Sequence, residues 1–265
     1  MQYTDDGLSL APIPGFSGQA YKGTYPDGTE AFIKMNTTPI LAALAKEQIA
    51  PKLLWSKRTL TGSIMSAQEW LDGRTLDKQD MGSKQIISIL TRLHRSKLLV
   101  NQLTKLGHTH ETPADLVRHW QSESVLQVRE NTYLQSIAKE LLQDQPRFNE
   151  DHATIVHGDI HHTNWIETKS GMVYLTDWDT VRLTDRMFDV AHILSHYIPR
   201  PDWKEWLTAY GYKYNALVLS KVEWYGQLSY LYQINKCFET HNIENVNKEV
   251  YALRRFRELR GQYES

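Results

Sequence analysis

Ile155-Val156-His157-Gly158-Asp159-Ile160-His161-His162-Thr163-Asn164 leaves a short apolar run and enters a polar stretch that Gly158 opens to irregular backbone. Asp177 follows in Tyr174-Leu175-Thr176-Asp177-Trp178-Asp179, again at the end of a short apolar run. Two brief strands that deliver carboxylates and an amide at their ends are suited to chemistry on a charged, oxygen-rich ligand. Phosphoryl transfer needs such a set: one carboxylate to accept or orient the proton of an attacking hydroxyl, which suits Asp159, and hard oxygen ligands for Mg2+ beside nucleotide phosphates, which suit Asn164 and Asp177. His157 is placed to anchor the loop by hydrogen bonds.

Upstream, the first seventy residues read as strands separated by turns: Leu8 to Ala11, Tyr21 to Tyr25, Glu30 to Met35, Leu53 to Lys57 and Ser63 to Leu71. Pro26-Asp27-Gly28 predicts the turn of a hairpin, and Ile40 to Gln48 has helical spacing. After Leu71 the periodicity changes. Ile86, Ile89, Leu90 and Leu93 form a helical stripe behind Ser83, and Thr112-Pro113 opens another helix. Leu134 to Leu142 continues the pattern, and from Phe188 onward the chain reads as helix, broken at Pro199, Pro201 and Gly211. The runs Ala153 to Val156 and Met172 to Leu175 read as a short pair of strands among these helices. The expected fold is α+β and bilobal: a small antiparallel-sheet N-terminal lobe over 1–71 that binds nucleotide, and a larger helical lobe over 72–265 for catalysis and substrate binding.

The Asp-x-x-x-x-Asn spacing followed by a strand-borne Asp resembles the catalytic loop and magnesium-binding Asp of protein kinases. His157-Gly158-Asp159 with Asn164 and Asp177-Trp178-Asp179 resembles the aminoglycoside phosphotransferase and choline kinase branch of that protein-kinase-like fold. This resemblance implies ATP as phosphoryl donor, Mg2+, and a small hydroxyl compound as acceptor. It makes Lys34 a phosphate-contacting lysine, with Glu47 its partner in the following helix. Pro14 to Ala20, with Gly15, Ser17 and Gly18, would cover the phosphates, and Glu69, Trp70 and Leu71 would meet the adenine. Asp189 matches a supporting aspartate after the metal-binding strand, and Asp179 and Arg182 fall in the same substrate-side or supporting region. The sequence departs from that branch just before Asp189, where Thr184-Asp185-Arg186 replaces Gly-Asp-Pro. Arg182 and Arg186 make this region less acidic than a cationic aminoglycoside or choline would call for.

Lys34-Met35-Asn36-Thr37, Glu47 to Pro51 and Thr180 to His192 are similar to the YtmP/CcrZ-type phosphotransferases of Gram-positive bacteria. That likeness implies a nucleoside acceptor, a riboside or 2′-deoxyriboside, and a link to cell-cycle control through a cell-division protein partner. The alternatives are a choline- or aminoglycoside-type kinase and a kinase-fold scaffold acting by protein binding, for which the aromatic C-terminal helices (Trp224, Tyr225, Tyr230, Tyr232) offer a surface. A metallohydrolase built on His157, Asp159, His161 and His162 would leave Asn164, Asp177, Lys34 and Glu47 without roles.

Bulk properties agree with an ordinary enzyme. A net charge of −1 argues against nucleic acid as the main partner. The longest apolar stretches fall short of the ~18 residues that span a bilayer, so no membrane insertion is expected. The single Cys237, on an apolar helix, makes an intrachain disulfide impossible and points to a reducing, cytoplasmic setting.

Overall fold

Strand β4 (Glu30–Met35) sets the pattern of the first structural unit: Ala31 and Ile33 are buried in the core while Phe32 and Lys34, on the opposite face, line a cavity. The computed structural model describes residues 2–3, 7–13, 19–59 and 62–261. In chain order the elements are β1 (Gln2–Tyr3), β2 (Ser9–Pro12), β3 (Ala20–Thr24), β4, α1 (Leu41–Lys46), β5 (Leu53–Arg58), β6 (Ile64–Glu69) and β7 (Gly73–Thr75). There follow α2 (Lys84–Arg95), α3 (Lys97–Lys105), α4 (Pro113–Glu123), α5 (Leu126–Arg129), α6 (Thr132–Gln143), β8 (Thr154–Val156), β9 (Trp165–Thr168), β10 (Val173–Leu175) and β11 (Arg182–Thr184). Helices α7 (Met187–Tyr197), α8 (Trp203–Tyr210), α9 (Ala216–Glu239) and α10 (Ile243–Glu258) complete the chain. The expected α+β class holds, with an antiparallel sheet in the N-terminal region and a helical C-terminal part.

Two compact units divide these elements. The first comprises 1–77, 96–107 and 161–181. Its six-stranded sheet runs β1-β2-β3-β4-β6-β5, all neighbours antiparallel. Lys34 sits between Ala20 and Ser66 in this register, so its backbone is fixed from both sides. Leu8, Ala31, Ile33 and Ala67 form the core of the sheet, with Leu10, Tyr21, Tyr25, Trp55 and Met65 packed around them. The Pro26-Asp27-Gly28 turn closes the β3–β4 hairpin, Gly28 donating its N–H to the Tyr25 carbonyl at 2.9 Å. A second sheet, β10-β9-β7, belongs to the same unit. Gly73 lies so close to β9 that an added Cβ would meet the Glu167 carbonyl oxygen at 2.1 Å, which reserves the position for glycine.

The second unit comprises 78–95, 108–160 and 182–261 of the described residues. Helix α2 buries Ile86, Ile89, Leu90 and Leu93, each contributing roughly 1.5–3 kcal/mol. Thr112 and Asp115 form a capping box at the start of α4. Helix α9 is buried along most of its length by α4, α5, α6, α7 and α10. Trp120 and Trp224 brace these contacts by donating indole N–H groups to the Leu231 and Leu141 carbonyls, at 2.8 and 3.0 Å. Cys237 is a buried residue of α9, and burial pushes its thiol above the ordinary range. Among the described residues no helix is long and apolar enough to cross a membrane.

The apolar runs ending at Val156 and Leu175 are both strands, and they lie in different sheets: β8 pairs with β11, and β10 with β9. The partners, Arg182–Thr184 and Trp165–Thr168, are only three and four residues long, so their sequences carry little strand signal on their own.

Candidate active site

Strand β8 ends at Val156, and the two residues after it are held by one buried side chain of α7 within the second unit. Asp189, 1% exposed, accepts the backbone N–H of His157 at 2.8 Å and that of Gly158 at 3.1 Å. It also lies 3.1 Å from His94 Nε2, and His94 Nδ1 lies 2.6 Å from the Tyr210 hydroxyl. Burial pushes the Tyr210 hydroxyl far above its ordinary range. The Asp189 carboxylate can only accept, so His94 Nε2 donates to it, and Tyr210, His94, Asp189 and the loop form one connected network. Gly158 takes φ +84°, a left-handed conformation that an L side chain strains to adopt. His157 is fully buried, and its Nδ1 accepts the Asp159 N–H at 3.3 Å. This scaffold fixes the backbone of Asp159, whose carboxylate forms an ion pair with Lys236 of α9.

Lys236 carries no signal in the sequence. It is one polar position in a mostly buried helix, and only the packing of α9 brings it to the loop.

Asn164 and Asp177 meet Lys34 in the first unit, on a cavity of about 530 Å³. Asn164 immediately precedes β9, and Asp177 lies two residues after β10, so the β9–β10 pairing brings them together. The Asn164 carbonyl accepts both the Thr176 N–H at 2.8 Å and the Thr176 hydroxyl at 3.0 Å, locking that juxtaposition. Asp177 takes φ +63°, a strained conformation for a non-glycine residue that re-aims its side chain. Lys34 Nζ lies 2.6 Å from Asp177 Oδ1 and 2.6 Å from Asp179 Oδ2. Burial works to lower the Lys34 pKa, but the two carboxylates outweigh it and hold the ammonium above its ordinary value. Glu69, Trp70 and Leu71 line the same cavity, as do Phe32, Trp178 and Ile166, so an apolar and aromatic wall faces a charged end. That division suits a nucleotide, with its flat base and its phosphates. Thr37 also lines the cavity, 7% exposed, and its buried hydroxyl has no hydrogen-bond partner among the described residues.

The expected Lys34–Glu47 pair is not made. Glu47 caps the C-terminal end of α1 and accepts the Ser96 hydroxyl at 3.2 Å, while Lys34 is taken up by Asp177 and Asp179. Arg182 pairs with Glu111 at 2.8 Å and lies over the Tyr232 ring. Its charge is therefore compensated within the second unit and does not by itself set the sign of that surface. Gly15, Ser17 and Gly18 lie outside the described residues. Among the described residues no three His, Cys, Asp or Glu side chains gather as a metal-ligand group.

The donors on the cavity, the Asp177 and Asp179 carboxylates and the Asn164 amide, are all hard oxygen ligands, the set Mg2+ prefers. Solved structures match the chain over nearly its whole length. LicA in complex with AMP gives a TM-score of 0.67 at 16% identity, covering 96% of this chain and 94% of that one. The choline kinase LicA from Streptococcus pneumoniae gives 0.66 at 17%, covering 93% of each chain. The GDP and kanamycin complex of APH(2")-IIia gives 0.66 at 11%, covering 95% and 94%. At such identities these likenesses concern the fold, which is the protein-kinase-like one. The family model for the APH group, described as the phosphotransferase enzyme family, matches residues 25–225. The chain belongs to that phosphotransferase enzyme family, and is an enzyme of the kinase class.

Proposed function

We propose that the protein transfers the γ-phosphoryl group of ATP to a hydroxyl of a small molecule, most simply the sugar hydroxyl of a nucleoside, with Mg2+. The observation that carries this reading is the Lys34, Asn164, Asp177 and Asp179 cluster on one cavity with an aromatic wall. Lys34 would bind the nucleotide phosphates, and Glu69, Trp70 and Leu71 would receive the base. Asn164 and Asp177 would hold Mg2+, which supplies charge neutralisation across the phosphates when bound. Asp159, on the loop fixed by Asp189, would accept the acceptor's proton. The acceptor oxygen forms its bond to the γ-phosphorus as the bond to the bridging oxygen of ADP breaks, and ADP leaves. In this reading residues 1–71 bind nucleotide, and 72–265 supply the metal ligands Asn164 and Asp177, the base and the acceptor contacts.

A second reading follows from the fold likeness to the choline kinase LicA and to APH(2")-IIia, which carries kanamycin: a choline- or aminoglycoside-type kinase. The nucleoside reading, and with it a place in bacterial cell-cycle control through a protein partner, rests on the likeness to YtmP/CcrZ-type enzymes at Lys34 to Thr37, Glu47 to Pro51 and Thr180 to His192. An ATP-consumption screen over nucleosides, choline, aminoglycosides and small sugars, with mass spectrometry of the product, separates the two. A phosphorylated nucleoside supports the proposal, and phosphocholine or a phosphorylated aminoglycoside as the main product replaces it with the second reading.

A further inference from the structure

Any acceptor whose hydroxyl reaches Asp159 also comes beside Lys236, because the two form one ion pair. Three carboxylates around this place each face a cation. Asp159 is matched by Lys236, Glu111 by Arg182 at 2.8 Å, and Asp185 by Lys221 at 2.6 Å. Asp189 is buried and turned to His94 and the loop amides. These pairs belong to one neighbourhood. Arg182 stands opposite Val156 in the β8–β11 ladder, three residues before Asp159. Its guanidinium lies over Tyr232, which precedes Lys236 by one helical turn on α9 and meets Phe188 edge to face. Asp159, Glu111 and Asp185 each face a cation of their own, and Asp189 is 1% exposed and spent on the loop amides and His94, so a cation arriving here finds no exposed, unmatched carboxylate of this set to replace its water.

We infer that Lys236 is a specificity-determining residue that bars positively charged acceptors, so that the substrate class is an uncharged or anionic hydroxyl compound. This rests on the reading of Asp159 as the base. The size of the effect follows from Coulomb's law: a unit charge about 7 Å from the Asp159 carboxylate, at an effective dielectric near 20, changes affinity by roughly fiftyfold. Lys236 cancels that attraction, and its removal restores it.

The test compares choline with 3,3-dimethylbutan-1-ol, its neutral isostere, by isothermal titration in the presence of Mg-ADP, on the wild-type chain, Lys236→Gln and Lys236→Arg. Lys236 is exposed over nearly half its side chain, so both variants should keep the wild-type melting temperature. The expected result is that the wild type binds the neutral alcohol at least as well as choline, that Lys236→Gln shifts the ratio of the two dissociation constants toward choline by tenfold or more, and that Lys236→Arg leaves it unchanged. A ratio unchanged in Lys236→Gln, including failure of that variant to bind choline, overturns the inference, as does a wild type that prefers choline. Failure of the base reading shows separately, as wild-type turnover in Asp159→Asn, because the ratio is read from binding and not from phosphoryl transfer.

Discussion

Asp189→Asn should both unfold the second unit more easily and slow the enzyme. The carboxylate collects two backbone N–H groups and the His94 ring N–H, at 2.8, 3.1 and 3.1 Å, with 1% of its surface exposed. An asparagine keeps one acceptor oxygen and turns an NH2 group toward a donor that needs an acceptor. One or two charge-assisted bonds at about 1.5–3 kcal/mol each are lost, and a buried N–H is left unmatched, for about 4 kcal/mol in all. For a chain of this size that lowers the melting temperature by roughly 10 °C. Because the two amides belong to His157 and Gly158, the loop that carries Asp159 loses its fixed position, and a misplacement of about 1 Å lowers kcat by about 100-fold. Differential scanning calorimetry and steady-state kinetics on the best acceptor measure the two effects. Tyr210→Phe, which removes only the far end of the chain, should cost about 1 kcal/mol with little change in kcat. A melting temperature and kcat for Asp189→Asn equal to wild type would refute the loop-anchoring argument.

Three further outcomes are expected. Lys34→Met removes an ammonium shared by two carboxylates and should lower kcat/KM for ATP about tenfold to hundredfold, with turnover at saturating ATP checking for a separate effect on chemistry. Thr37→Val removes a buried hydroxyl without a partner, so it should stabilise the nucleotide-free protein by about 1 kcal/mol in urea unfolding while weakening ATP binding severalfold; unchanged affinity would show that the nucleotide makes no use of the hydroxyl. Glu249 has its carboxyl raised above its ordinary value near 4.5 by burial, against an opposing pull from Lys78. The folded state thus prefers the protonated acid, and stability is fullest below that ordinary value and falls as pH rises through the raised one. Glu249→Gln should flatten this part of the stability profile above about pH 4.5, and an unchanged slope in urea titrations at several pH values would count against it.

The division into sheet and helix was legible because it rests on periodicity. Alternation in Glu30–Met35 and the stripe Ile86, Ile89, Leu90, Leu93 are local patterns that burial then enforces. Helix α3 carries a local signal too: Ser96 accepts the Leu99 N–H as an N-cap, and Leu99 and Leu103 share its buried face. Strand β11 had almost none, since Arg182-Leu183-Thr184 becomes a strand only through Val156, Ile155 and Thr154. At the candidate site the sequence supplies Asn164, Asp177 and Lys34 as residue types in the right order, but not their partners. Lys34 reaches Asp177 and Asp179 across more than 140 residues of chain, and Ser96 takes Glu47 instead. Lys236 and Thr37 are contributed wholly by packing, one by the position of α9 and the other by a hydroxyl left without a partner on the cavity.

The central claim is that this chain phosphorylates a small hydroxyl compound with Asp159 as the base, and the most direct measurement is product formation by wild type and Asp159→Asn with ATP and Mg2+, followed by mass spectrometry. The account predicts a phosphorylated product from the wild type and a kcat lowered about 100- to 10,000-fold in Asp159→Asn, with ATP binding nearly unchanged. Equal turnover by the two proteins, or ATP-independent conversion of the acceptor, would contradict it.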